Sequence, residues 1–396
     1  MYYVFAEQSS MARQILKGAF DQAETRGTDA MILLGKTRKE KRMLDPEISG
    51  SILTSCVREN IPFFQSLPHP LINTSNRMGP LEGVGNFLND DREVGRMAAR
   101  YLLERGHTSF LVTWIKGVTV HEERMEGFVE VIEASGHSLS LFSHNYKAAD
   151  PRIDTHWKFL HFLREVFRAP LETLPLGAGV FATNDEVGVL ILQVMKQFYP
   201  EHLMASGVLG VDNAAGYDQY LGGLPGLSSI VPAFHQLGAA AIDWLLDHPG
   251  PEGKERVASL SKRFAPVKVI TRESTAAGAC EDPVTSQIIR WAWVRIQRGE
   301  SVQVNDMAKA HRQGRQTLDR KFTEHVGTTP VELLARMRLD LARELLRDSH
   351  LSIAEISARC GFSKQDVLSR AMRRAYGYTP RDYRQQHSLK SSDGGF

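Results

Sequence analysis

Six residues of this chain could together grip a small polar ligand: Arg13, Asp90, Arg124, Asp185, Asp212 and Asn213. Five are charged, and each of the five follows a short apolar run, respectively Tyr2–Ala6, Phe87–Leu88, Phe110–Trp114, Ala178–Ala182 and Gly207–Val211. Guanidinium groups donate and carboxylates accept, so such a set makes charge-assisted hydrogen bonds to hydroxyls, which do both. A neutral polyhydroxyl ligand, a sugar, suits that chemistry, and Trp114, Tyr217 or Phe234 could stack on its ring. The plainer readings are that Asp90 and Asp185 cap the helices after them, that Arg124 is a solvated residue of a first helical turn, and that Asp212 is a turn residue.

A second set of chemistry-bearing residues lies near the C-terminus. In 304–327 and again in 352–377, a short apolar-periodic helix, a turn and a second helix with one apolar and one basic face follow each other, so each segment reads as a helix-turn-helix. In the first, Leu318 and Phe322 point inward and leave Gln316, Thr317, Asp319, Arg320 and Thr323 outward. In the second, Leu368, Met372 and Ala375 form the buried stripe and leave Gln365, Asp366, Ser369, Arg370 and Arg373 outward. Such faces suit a DNA major groove. Arg320 and Arg370 are the candidate base readers, a bidentate Arg to guanine being worth about 1–3 kcal/mol of discrimination, and Arg373 a phosphate contact. Thr329-Pro330-Val331-Glu332 is a capping box that starts a helix of about eighteen residues, roughly 27 Å long. That separation approaches the ~34 Å between successive major grooves.

Charge is divided to match. From Pro283 onward there are 20 Lys/Arg against 12 Asp/Glu, a balance of +8, and the remainder has 28 against 34, or −6. The basic part is the part with the helix-turn-helix units, as phosphate neutralisation requires. The three cysteines (Cys56, Cys280, Cys360) make no CxxC pair, and the 14 histidines fall in no ligand spacing, so no metal is inferred. Gly83-Val84-Gly85 fails at the third glycine of a dinucleotide turn, and there is no nucleophile elbow or P-loop. No cofactor is implied, and an enzyme reading has no residues behind it. With no basic leader and no apolar run near twenty residues, the expectation is a soluble, cytoplasmic protein that does not enter membranes.

The elements that must position the first set alternate. Strands are expected at Tyr2–Ala6, Met31–Leu34, Ser51–Thr54, Leu71–Ile72, from Asn86, and at Phe110–Trp114, Ala178–Ala182 and Gly207–Val211. Helices are expected at Ser10–Arg26 (Met11, Ile15, Phe20 and Ala23 inward), after Asp90 (Val94, Ala98, Tyr101 and Leu102 inward), and at Glu122–Ser135, Trp157–Phe167, Glu186–Phe198 and His235–Leu246. Strands alternating with helices imply parallel sheets with right-handed crossovers, here two lobes, with ligands bound at the carboxyl ends of strands.

Two resemblances sharpen this. The run Ser352–Arg384 (SIAEISARCGFSKQDVLSRAMRRAYGYTPRDYR) resembles the signature of the AraC family of transcription regulators, although Arg312 and Gly314 replace the usual turn residues of the first unit. NDDREVGRMAARYLLERGH, ERMEGF, GVFATNDEVGVL and GVLGVDNAAGYDQYLGGLPGLSSI resemble the core of the LacI type of periplasmic-binding-protein fold, with FAPVKVITREST (Phe264–Thr275) as its returning strand. The implied fold is α/β: a two-lobed periplasmic-binding-protein-like (type I) sensor over 1–275, a linker over 276–283, an all-α double helix-turn-helix domain over 284–387 and a disordered tail over 388–396. The order sensor then reader resembles AraC-type regulators of sugar operons. It implies D-xylose or a related pentose as effector, with Arg13, Asp90, Arg124, Asp185 and Asp212 at its site. It also implies operator DNA as partner, a homodimer and contact with RNA polymerase; the expected mechanism is lobe closure that fits paired readers to two half-sites, with activation expected and repression left open. Two other readings stay open: a sugar-binding or sugar-processing protein with a basic tail, and a regulator of a non-sugar metabolite.

Overall fold

Short apolar runs separated by capped helices build the chain. The computed structural model describes residues 2–5, 10–28, 32–35, 47–54, 58–75, 79–144, 165–214 and 224–387. It divides into two units, Met1–Leu203 with Gly207–Gly278, and Met204–Ser206 with Ala279–Phe396.

The first unit contains twelve strands among its described residues: β1 (Tyr2–Phe5), β2 (Ile32–Gly35), β3 (Gly50–Leu53), β4 (Leu71–Asn73), β5 (Gly85–Asn89), β6 (Ser109–Ile115), β7 (Ser138–His144), β8 (Gly179–Ala182), β9 (Gly207–Val211), β10 (Ser228–Val231), β11 (Ser261–Phe264) and β12 (Lys268–Ile270). They form two sheets, ordered β11-β5-β4-β3-β1-β2 and β12-β10-β9-β8-β6-β7. The first is parallel throughout, with Tyr2 opposite both Ile32 and Gly50. The second is parallel except where β12 runs against β10. Between the strands lie α1 (Ser10–Thr25), α2 (Ile61–Gln65), α3 (Asp91–Glu104), α4 (Thr119–Ser135), α5 (165–172), α6 (Asp185–Phe198), α7 (Pro200–Ala205), α8 (Phe234–Asp247), α9 (Gly250–Val257) and α10 (Glu273–Ala276).

Each sheet has its own core. Ile15, Ala19 and Ala23 of α1 meet Leu237, Ala241 and Leu245 of α8 over Ile52, Ile72 and Phe87. Val94, Ala98 and Leu102 of α3 meet Phe128 and Ile132 of α4 over Phe110, Val112, Phe181 and Val211. Both helix pairs close on glycine. A Cβ on Gly95 would stand 2.0 Å from the carbonyl oxygen of Arg124, and one on Gly127 1.9 Å from that of Arg92. Gly18 and Gly238 do the same for α1 and α8, at 1.9 Å from His235 O and 1.8 Å from Ile15 O. Backbone therefore packs on backbone.

The chain passes between the sheets three times, from β5 into α3, from β10 into α8, and from β11 to β12. The crossings are tied together: Asp90 N donates to Phe264 O (2.8 Å), Ala233 N to the Asn89 side chain (2.9 Å), Val267 N to Val231 O (2.8 Å), and Arg263 Nη1 to Asn89 O (3.0 Å).

Three expectations need correction. Phe264–Thr275 is not one returning strand; its start ends β11 in the first sheet, and β12 belongs to the second. Phe20 is 44% exposed, and Ala19 takes the inward place, one residue round α1. Ala375 is exposed on the helix Gln365–Tyr376, where Leu368 and Met372 alone are buried. Of the helix expected over Trp157–Phe167, residues 165–167 are helical and the rest lie outside the described residues, as do Cys56, Tyr217 and the tail 388–396.

The second unit is helical: α11 (Pro283–Gln297), α12 (Val304–Ala310), α13 (Arg315–Val326), α14 (Pro330–Asp348), α15 (Ile353–Arg359), α16 (Gln365–Tyr376) and α17 (Pro380–His387). The stretch expected as a linker, 276–283, contains the last residue of α10 and the first of α11, whose N-cap is Asp282 (Thr285 N to Asp282 Oδ2, 2.9 Å). Reciprocal caps fix three more starts, Thr329 with Glu332, Ser352 with Glu355 and Thr379 with Asp382.

Gly127→Ala is expected to lower stability by about 1–3 kcal/mol through overpacking of the α3–α4 seam, read as a lower midpoint of chemical denaturation.

Candidate effector site and nucleic-acid interface

The α3–α4 seam delivers Arg124 to the carboxyl edge of the second sheet. Its guanidinium is buried, 4% exposed, and three elements hold it. Nε donates to Asp91 Oδ1 on α3 (2.8 Å), Nη1 to the carbonyl of Thr183 after β8 (2.7 Å), and Nη2 to Asp212 Oδ1 after β9 (3.1 Å). Burial opposes the charge on Arg124, but the carboxylates of Asp212 and Asp91 outweigh it and hold the group above its ordinary value. Burial pushes the carboxyl of Asp91 up to about 6 against the pull of Arg124, so the pair is ionic at neutral pH. One turn before Arg124, His121 Nδ1 lies 2.8 Å from Thr183 Oγ1.

The end of β9 is a sharp left-handed turn. Asp212 has φ 100° and Asn213 φ 43°, conformations that cost a residue with a Cβ about 1–3 kcal/mol each and persist only where the surroundings impose them. Asp212 N donates to Ile230 O (2.9 Å), Asn213 N to Ser229 Oγ (2.9 Å) and Ala214 N to Asp185 Oδ2 (2.8 Å). The Asn213 side-chain oxygen accepts from Arg272 Nη2 at 2.7 Å. Asp185 is buried beneath this turn. Burial, and then repulsion from Asp212, pushes its carboxyl up to about 7.

Arg124, Asp185, Asp212 and Asn213 are thus brought together. Asp90 and Arg13 are not in the cluster. Asp90 caps α3 (Glu93 N to Asp90 Oδ1, 2.9 Å), and it is the next residue, Asp91, that reaches Arg124. Arg13 is exposed on α1. Of the candidate stacking aromatics, Trp114 is partly exposed at the end of β6, and Phe234 is 2% exposed in the first core. Sequence reasoning missed Asp91, Thr183, Ser229 and Arg272. The doublet Asp90-Asp91 carried a signal; the other three are joined to the turn only by tertiary contact.

In the second unit the two helix-turn-helix segments repeat at a separation of fifty residues. Leu318 and Phe322 of α13 correspond to Leu368 and Met372 of α16, all buried, and the left-handed Gly327 to Gly377. The turns differ. Four residues separate α12 from α13 and five separate α15 from α16, and the left-handed place held by Gly361 in the second turn (φ 73°) is held by Arg312 in the first (φ 51°). Gln316, Arg320 and Thr323 are exposed on α13, with Thr317 and Asp319 partly so; Gln365, Asp366, Arg370 and Arg373 are exposed on α16, with Ser369 partly so. On α13 Arg320 pairs with Glu324 at 3.0 Å and Arg315 lies 3.6 Å from Asp319, whereas Arg370 and Arg373 make no ion pair among the described residues. Packed between the segments, α14 spans 19 residues and buries Leu333, Leu334, Met337 and Leu341.

Comparison with known proteins agrees with both halves. A periplasmic binding protein-like domain matches residues 99–275 and a helix-turn-helix domain matches 307–386. The xylose operon regulatory protein of Escherichia coli K12 is 32% identical over 224 residues, 55% of this chain and 54% of that one, so the match spans about half the length of that relative. The Haemophilus influenzae protein of the same description is 24% identical over 302 residues, 74% of this chain and 73% of the other. A solved structure described as a xylose-binding transcription activator superposes with a TM-score of 0.61 at 23% identity over 98% of each chain, a likeness of fold. No helix among the described residues is long and apolar enough to cross a membrane. The chain carries a periplasmic binding protein-like domain followed by an AraC-type helix-turn-helix domain, and it is homologous to the xylose operon regulatory proteins.

Proposed function

We propose that this protein is a transcription regulator that binds operator DNA through α13 and α16 and is controlled by a small neutral sugar, D-xylose or a related pentose, bound at Arg124, Asp212 and Asn213. The observation that carries the effector reading is the Asp212 carboxylate. It is 27% exposed at the strand edge and pinned by a guanidinium that is buried. Such a group accepts hydrogen bonds from hydroxyls with charge assistance. Arg124 and Arg272 stand with three carboxyl groups, Asp91, Asp185 and Asp212. That balance favours a neutral ligand over a sugar phosphate. The regulator acts as a homodimer and contacts RNA polymerase when it activates. Effector occupancy changes DNA affinity by the difference in effector affinity between the two states.

Calorimetric titration with pentoses and hexoses tests the effector. D-xylose or a related pentose is expected to bind, and Asp212→Ala to weaken it by about tenfold or more with basal DNA affinity unchanged. Heat from some other metabolite and from no sugar would overturn the reading. Binding is also expected to weaken as pH falls through about 6, where Asp91 gains its proton and Arg124 loses an ionic partner.

On the DNA side, gel shifts with the duplex upstream of the chain's own operon should show affinity falling steeply with salt. Arg370→Ala is expected to cost about 1–3 kcal/mol and to relax preference at one base pair. Arg320→Ala should cost less, because Glu324 already occupies its charge. Absent or salt-insensitive binding would favour a sugar-binding protein whose basic tail has another use.

A further inference from the structure

Asp185 is buried beneath the turn and has a protein partner on each carboxylate oxygen. Oδ1 accepts the hydroxyl of Ser229 at 2.6 Å and Oδ2 accepts Ala214 N–H at 2.8 Å, and the residue is 5% exposed. Space for it exists because residue 210 is glycine: a Cβ there would stand 2.3 Å from Asp185 Oδ1. Ser229, 1% exposed on β10, also accepts Asn213 N–H at 2.9 Å. From the other side Arg272 holds the Asn213 side chain (2.7 Å) and is itself anchored to Leu227 O (2.7 Å). Two of these bonds reach Asn213 and a third reaches Ala214, so they brace the turn in which Asp212 and Asn213 are both left-handed. Without them the turn would relax toward ordinary φ values, and the Asp212 side chain would leave Arg124.

We propose that Asp185 and Ser229 are positioning residues that lock the Asp212–Asn213 turn in its left-handed form and so aim the Asp212 carboxylate, Asp185 itself making no contact with the effector. This rests on the effector site proposed above and names what sets its geometry. A neutral side chain of the same shape can do the work. Asn at 185 would accept Ala214 N–H and donate to Ser229 Oγ, whose own proton can turn toward Ile230 O, 3.4 Å away.

The experiment uses the full chain with two readouts: hydrogen exchange of the amides of Asn213 and Ala214 in the ligand-free protein, and calorimetric titration with D-xylose. Ser229→Ala leaves the Asp185 carboxylate in place and removes its partner. It is expected to speed both exchanges and raise the Kd for D-xylose by about tenfold each. Asp185→Ala should do the same, and Asp185→Asn should stay within about threefold of the parent on both. Unchanged exchange in Ser229→Ala overturns the proposal, as does faster exchange with unchanged affinity. So does an Asp185→Asn variant that keeps its protection yet loses D-xylose as fully as Asp212→Ala, because Asp185 is then a direct contact. Faster exchange in the variants, alongside a parent protein that binds no sugar, supports the lock and overturns only the choice of ligand.

Discussion

The buried guanidinium of Arg124 is the interaction on which the first unit's edge depends. Its three bonds run to a helix just past a crossing, to a strand end and to a strained turn. Each partner is awkward alone: a wholly buried carboxylate, a terminal carbonyl with no further strand to receive it, and a carboxylate on a left-handed residue. Together they satisfy one another. Breaking a buried ion pair from one side costs about 3–5 kcal/mol, because the remaining charge stays buried. The glycine seam between α3 and α4 is what brings the arginine within reach, so packing and electrostatics here are one constraint.

Much of this was legible in the sequence. Alternating apolar runs and helices gave the α/β class, because a strand of four or five apolar residues followed by an acid or amide cap has few other readings. The repeated helix-turn-helix was legible for the same reason, its buried pairs and capping boxes being local. Legibility ended where partners come from far along the chain. Asp90 and Asp91 are equivalent as letters, and only the burial of one on α3 distinguishes cap from ion-pair partner. Phe20 lost its inward place to Ala19 because the close approach of α1 and α8 at Gly18 and Gly238 leaves no room for a ring. Ser229 and Arg272 reach Asn213 from 16 and 59 positions away, with no spacing to announce it.

The helices α13 and α16 share a frame and differ in charge. Acids on α13 hold its arginines along the helix, while Arg370 and Arg373 of α16 are exposed and make no ion pair among the described residues. Exposed intrahelical pairs are worth little in stability, about 0.3–0.5 kcal/mol. One extra turn residue and the exchange of Gly361 for Arg312 further separate the segments.

The three crossings also bear on how the chain is made. The apolar face of α1 is covered by α8, and Gly18 waits for Gly238. At about 5–20 residues per second of synthesis, the ribosome delivers that partner roughly ten to forty seconds later. The apolar face of α1 therefore stays uncovered until the later part of the first unit emerges. The helical repeat behind it, built from neighbours in sequence, closes as soon as it leaves the tunnel.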